Sequence, residues 1–260
     1  MTGTGTQNDP YIVDIWEDFV TAAGTSGAYV KVADDTVWDM NSIAPEGIGR
    51  INCTCAELDG NGVVIRNAYI PDYYVLDLSR TVKNLRIEDF LLRCGSTGAS
   101  VINSSPASIV SNCVFTGVLE ATSAYVIRRV NKSAIVQKCA FNVSFRLTTG
   151  KLNWDYTNSA DNNQFNHAIL DITNTLGIAS GNNPAYCNFQ NSLIEVTRKS
   201  QHTDNFRTSY AKNSIIRYNE DQESELNHVV SPGGTAYEVT SAQLQDAAYL
   251  ASIGFPIGVD

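Results

Sequence analysis

The residues of this 260-residue chain that could do chemistry are three histidines, six cysteines and a scatter of carboxylates. Polysaccharide hydrolysis would need two carboxyl groups facing each other across a groove, one protonated and one ionised. An elimination reaction would need carboxylates to hold Ca²⁺ and a basic side chain to take a proton. The only Asp-Asp pair is Asp34-Asp35, near the start of the chain. The acidic run from Glu220 to Glu225 precedes His228 and reads as a solvated loop. His202 lies in the polar stretch Arg198 to Asp204 and reads as a turn. No nucleophile–base pair, phosphate loop or dinucleotide fingerprint stands out. Catalytic, cofactor-binding and metal-ligating residues are therefore all expected to be absent.

The remaining candidates, His167, Cys113 and Cys139, fall inside a repeated phrase. Its pattern is apolar, any, usually Asn, small, any, apolar. Seven copies begin at Ile65, Val82, Val110, Val136, Phe165, Phe189 and Ala211, spaced 17, 28, 26, 29, 24 and 22 residues apart. Their third positions are Asn67, Asn84, Asn112, Lys138, His167, Asn191 and Asn213. An irregular period of about one coil is the mark of a solenoid.

Positions one, four and six all want the interior, although strict strand alternation would put the first on the opposite face. The parity must be reset between them, and Asn tolerates the left-handed backbone that does so. Two short strands then meet at an angle around one residue. Coils stacked about 4.8 Å apart let the bend side chains bond to one another as a ladder. The expected fold is all-β: a right-handed parallel β-helix with an N-terminal capping helix and a C-terminal helix. Asn67, Asn84, Asn112, Asn191 and Asn213 are its expected ladder and bend residues, and His167 becomes a bend residue too. Cys113 and Cys139 become small apolar residues of an inner corner. Cys53-x-Cys55 has no second pair at zinc-ligand spacing.

Three segments of one continuous domain follow. Residues 1–41 form an opening module, with a strand over Tyr11 to Ile15 and a helix capped by Asp14. That helix carries Trp16, Phe19, Val20 and Ala23 and stops at Gly24 and Gly27. Residues 42–230 form the coils, with a hairpin or lateral loop in the long interval after Val136. Residues 231–260 hold a helix from an N-cap at Ser241 to a stop at Gly254, then the tail Phe255 to Asp260. That last helix could close its own coil or dock on a neighbour.

The opening module also carries a resemblance. The order Asp9-Pro10-Tyr11-Ile12, Trp16-Glu17-Asp18-Phe19, Gly27-Ala28-Tyr29-Val30 and Trp38-Asp39-Met40-Asn41 resembles the start of pectin-lyase-like β-helix proteins, in particular those encoded by tailed bacteriophages. Leu58-Asp59-Gly60-Asn61-Gly62 resembles the first-coil phrase of the same group. The hydrolase phrase Gly-His-Gly and the lyase phrases Val-Trp-x-Asp-His and Arg-x-Pro-x-x-Arg are absent from this chain. The resemblance implies a non-enzymatic structural component of a phage virion, attached to capsid or tail. The alternative is a tailspike-like β-helix that binds or degrades polysaccharide.

Bulk properties narrow the partners. A net charge of −9 disfavours nucleic acid, which needs a basic stripe. No apolar run reaches the roughly 20 residues of a membrane span. The opening residues lack the basic and apolar regions of a signal peptide, so synthesis in a bacterial host cytoplasm and assembly into a virion are expected. Expected partners are other virion proteins and further copies of the chain, with a trimer favoured, and a host-surface glycan. Tyr73, Tyr74, Trp154 and Tyr156 are the candidate contact surface, since aromatic rings suit sugar stacking and subunit contact.

Overall fold

A computed structural model describes residues 1–95, 97–105, 108–129, 135–155, 163–166, 169–174, 187–190, 193–198, 211–212, 214–220, 227–230, 236–244 and 246–253. Its architecture is a parallel β-solenoid. One sheet takes a short strand from each coil: Tyr11–Val13, Tyr29–Val32, Glu57–Asp59, Thr81–Lys83, Ile109–Ser111, Ile135–Gln137, Asn163–Asn166, Cys187–Gln190 and Ala211–Lys212. Each pairs in parallel with the strand one coil away. A second, 14-stranded sheet begins at Val37–Asp39 and continues through Val64–Arg66, Arg86–Arg93, Val114–Arg129, Ala140–Asp155, Ile169–Asn174, Leu193–Arg198 and Ser214–Glu220. It ends in two antiparallel strands, Asn227–Val230 and Ala236–Val239. A further face of that sheet is built from Ile51–Cys53, Tyr74–Leu78, Thr97–Ser104 and the distal part of Val114–Arg129.

Register shows how the repeat folds. Val30, Leu58, Val82, Val110, Val136, Phe165, Phe189 and Ala211 stack in one column. Trp38, Ile65, Ile87, Phe115, Phe141, Leu170, Ile194 and Ile216 stack in the next. Six copies of the phrase are thus in phase, with their first and last positions in separate columns. The Ile65 copy is not. Ile65 pairs with Ile87, and the partner of Val82 is Leu58, so the short first interval of 17 residues arises from a copy one corner out of phase. In that coil Gly60-Asn61-Gly62 makes the first corner, with φ of 52° at Asn61 and 83° at Gly62. The close approach of Asn84 explains Gly60, where an added Cβ would lie 2.6 Å from the Asn84 carbonyl oxygen.

The interior is a continuous apolar stack in which Phe90, Phe115, Phe141 and Phe145 are fully buried. Phe115 and Phe141 stack with centroids 5.0 Å apart at 17°. Burying each such ring contributes about 1.5–3 kcal/mol.

The helix of the opening module, Trp16–Ala23, covers the first coil and buries Phe19, Ala22 and Ala23. Its N-cap is Ile15 in extended conformation, and no side chain caps it, so the expected cap by Asp14 is not formed. The strand before it ends at Val13, and the Asp14 carbonyl accepts instead from Trp38 Nε1 at 3.2 Å. Glu17 and Asp18 in the first turn suit the positive helix end, and Asp18 also pairs with the Met1 ammonium group. Trp38 lies 4.9 Å from Phe19 and 5.6 Å from Trp16, between ring centroids. Gly24 ends the helix at φ −76°, while Gly27 takes φ +76° ahead of the next strand.

At the other end, the single helix expected from Ser241 is two short ones, Ser241–Leu244 and Ala247–Ser252. The cap is Thr240, not Ser241: Gln243 N donates to Thr240 Oγ1 at 3.3 Å, and Thr240 N donates to Gln243 Oε1 at 2.9 Å. Asp246 then starts the second helix, its Oδ1 accepting from Ala248 N at 2.9 Å and Tyr249 N at 3.1 Å. The tail from Gly254 to Asp260 lies outside the described residues.

Candidate functional site

The bend positions are left-handed where the structure describes them: φ is 59° at Asn67, 56° at Asn84, 52° at Asn112 and 53° at Lys138. The three asparagine side chains bond along two corner columns. In the first, Asn112 Nδ2 donates to Asn84 Oδ1 at 2.7 Å, and Asn84 Nδ2 donates to Asp59 Oδ1 at 2.8 Å. Asp59 Oδ1 also accepts from Asn61 N at 2.9 Å, and Asn61 Nδ2 reaches Asp34 one coil earlier. Asn67 is in the second column. Its Nδ2 donates to Asp39 Oδ1 at 3.0 Å, and Asp89 (φ 53°) takes the corresponding corner of the next coil. Asn191, Asn213 and His167 lie outside the described residues.

Outer-face carboxylates are tied in the same way. Glu120 stands between Arg93 and Arg146, its register partners, at 2.8 and 3.0 Å. Arg66 Nε holds Asp39 at 3.1 Å, Lys83 holds Glu57 at 2.8 Å, and Arg86 Nε holds Glu88 at 2.8 Å. The hydrogen bond from Asn67, then those from Asn41 N and Arg66, hold the Asp39 carboxyl below its ordinary range. Hydrogen bonds from Arg93 and Arg146 do the same for Glu120. These groups are ionised acceptors, which suits a surface lattice and opposes a role as proton donor. Among the described residues no cluster of three His, Cys, Asp or Glu side chains is placed to hold a metal ion.

The tyrosine pair is brought together. Tyr73 is 44% exposed and its ring centroid lies 6.1 Å from that of Tyr74. Arg50 and Arg128 approach the Tyr74 ring at 5.7 and 5.6 Å, and Arg128 Nη1 donates to the Tyr74 hydroxyl at 2.7 Å. Arg50 Nε pairs with Asp77 at 3.3 Å, and Asn103 Nδ2 donates to the other Asp77 oxygen at 2.9 Å. Asn52, Asp77, Asn103 and Arg128 are successive register partners, so this face is a polar column across four coils. Sequence reading found the tyrosines and missed Arg50, Asp77, Asn103 and Arg128, although their spacing near 26 was a usable signal. Trp154 belongs to the strand Ala140–Asp155, with its side chain outside the described part. Tyr156 and His202 also lie outside it.

A cleft of about 390 Å³ opens beside the capping helix, lined by Trp16, Phe19, Val20, Ala23, Ile48 and Arg50 among others. Compared with family models, curated proteins and solved structures, the chain matches none.

Proposed function

We propose that this chain is a non-enzymatic structural component of a bacteriophage virion, a β-helix attached to capsid or tail and presenting its outer faces to other particle proteins. The observation that carries a structural role is the tying of the outer-face carboxylates to cations and bend amides, as at Asp39 and Glu120. A hydrolytic acid would need its pKa raised, and both of these are lowered. The virion setting rests on the resemblance of the opening residues, through the first-coil phrase Leu58 to Gly62, and of the repeated phrase to phage-encoded β-helix proteins. Mass spectrometry of purified particles tests it: the chain should be present at stoichiometric level, and its absence from intact virions would sink the proposal. Native mass spectrometry of the isolated chain should show a homo-oligomer, with a trimer expected.

One observation favours a second reading, a glycan-binding face. Tyr73 presents an exposed ring beside Tyr74, its backbone N bonded to Asp72, while Arg50 lies over the Tyr74 ring and pairs with Asp77. Planar polar side chains around a ring suit a sugar's hydroxyls and its apolar face. Affinity electrophoresis across host-surface polysaccharides should then show retardation that Tyr73→Ala removes, and mobility unchanged in every gel would discard this reading.

A further inference from the structure

The corner residues Cys113 and Cys139 are copies of each other displaced by one coil. They directly precede Val114 and Ala140, which are register partners. The residues before them, Asn112 and Lys138, have φ of 52° and 53°, so the two backbones turn alike. Cys113 Sγ donates to the Ser111 carbonyl at 3.2 Å, and Cys139 Sγ donates to the Gln137 carbonyl at 3.3 Å. Both thiols therefore take the same orientation, and Ala140 N locks the peptides together through the Cys113 carbonyl at 2.9 Å. Strand neighbours in such a ladder are about 4.8 Å apart, inside the 4.4–6.8 Å range of Cα separations that a disulfide spans. Both thiols are free in this structure.

We propose that Cys113 and Cys139 are a disulfide site, a staple between successive coils that forms when the chain folds, or this corner opens, in the presence of a small-molecule disulfide. One thiolate attacks a sulfur of that disulfide, expels a small thiol and leaves a mixed disulfide on the protein. The second thiolate attacks the protein sulfur of the mixed disulfide and expels the second small thiol. Two cysteine protons end on the two released thiols, the protein sulfurs are oxidised and the small disulfide is reduced. The closed corner resists this chemistry. Cys113 is 0% and Cys139 2% exposed, so reagents do not reach either sulfur; their mutual hydrogen bond, with burial, pushes the Cys113 thiol well up and holds the Cys139 thiol down. A chain folded in reducing surroundings thus keeps its thiols, and one folded or opened in oxidising surroundings acquires the bond. The inference is independent of the virion reading.

The test is to refold the full chain from denaturant in mixed oxidised and reduced glutathione, alkylate it, and map its peptides without reduction. The expected result is a joined pair containing Cys113 and Cys139, separated by reductant, with a thermal midpoint about 5–10 °C above that of the reduced chain. Separate alkylation of the two residues in refolded protein, or pairing of either with another cysteine, would overturn the site. A joined pair with an unchanged midpoint would overturn its role as a staple. Cys139→Ala, refolded in the same way as a control, should give no joined pair, and the wild-type map decides the matter even if that variant fails to fold.

Discussion

At each bend a single residue carries a backbone conformation that costs most side chains about 1–2 kcal/mol, and Asn recovers part of it through the ladder. Lys138 occupies the same left-handed corner with φ 53° and an exposed side chain. Lys138→Asn should therefore stabilise the chain by about 0.5–1 kcal/mol, read as a higher urea midpoint. Asn112→Ala should cost about 2 kcal/mol, since it loses both the tolerated bend and the bond to Asn84, while Asn112→Gly keeps the bend and should cost less. Glu120 makes the pH dependence testable. Its folded pKa lies below the ordinary 4.5, so its stabilising contribution is complete above that value and fades as pH falls through the folded pKa. Urea midpoints measured from pH 6 down to pH 3 should fall less steeply in Glu120→Gln than in the wild type.

Among the elements, the capping helix closes the solenoid by one face. Phe19→Ala should cost about 3–5 kcal/mol, whereas Val20→Ala, at a position 51% exposed, should change the denaturation midpoint little. Reading the sequence located this helix and the coil columns because apolar spacing and coil period are one-dimensional signals. Phase around the ring is not one. Asn67 carries the same local phrase as Asn84, since either corner joins two short strands through a left-handed residue, and only pairing distinguishes them. Helix in the C-terminal segment after Thr240 was legible, yet Asp246 caps a new helix inside it and divides the segment. The surroundings of Tyr74 were harder to read, because Arg50, Asp77 and Arg128 come from separate coils and only a spacing of about one coil links them.

For the whole molecule, stacking means that energy passes between neighbouring coils and little farther. Surface ladders and core columns both follow this rule, each side chain bonding chiefly to the coil before or after it. Double-mutant cycles can test it. Phe115 and Phe141 stack directly, so Phe115→Leu and Phe141→Leu should show a coupling of about 0.5–1.5 kcal/mol. Phe19 packs with Trp16 and Trp38 at the opening end, several coils away from Phe141. Phe19→Leu and Phe141→Leu should therefore add to within about 0.5 kcal/mol. Equal coupling in both cycles, measured by urea denaturation, would mean that strain travels along the solenoid. A rod of that kind could pass a contact at one end to the other, whereas nearest-neighbour coupling makes each coil an independent mounting surface on a common core.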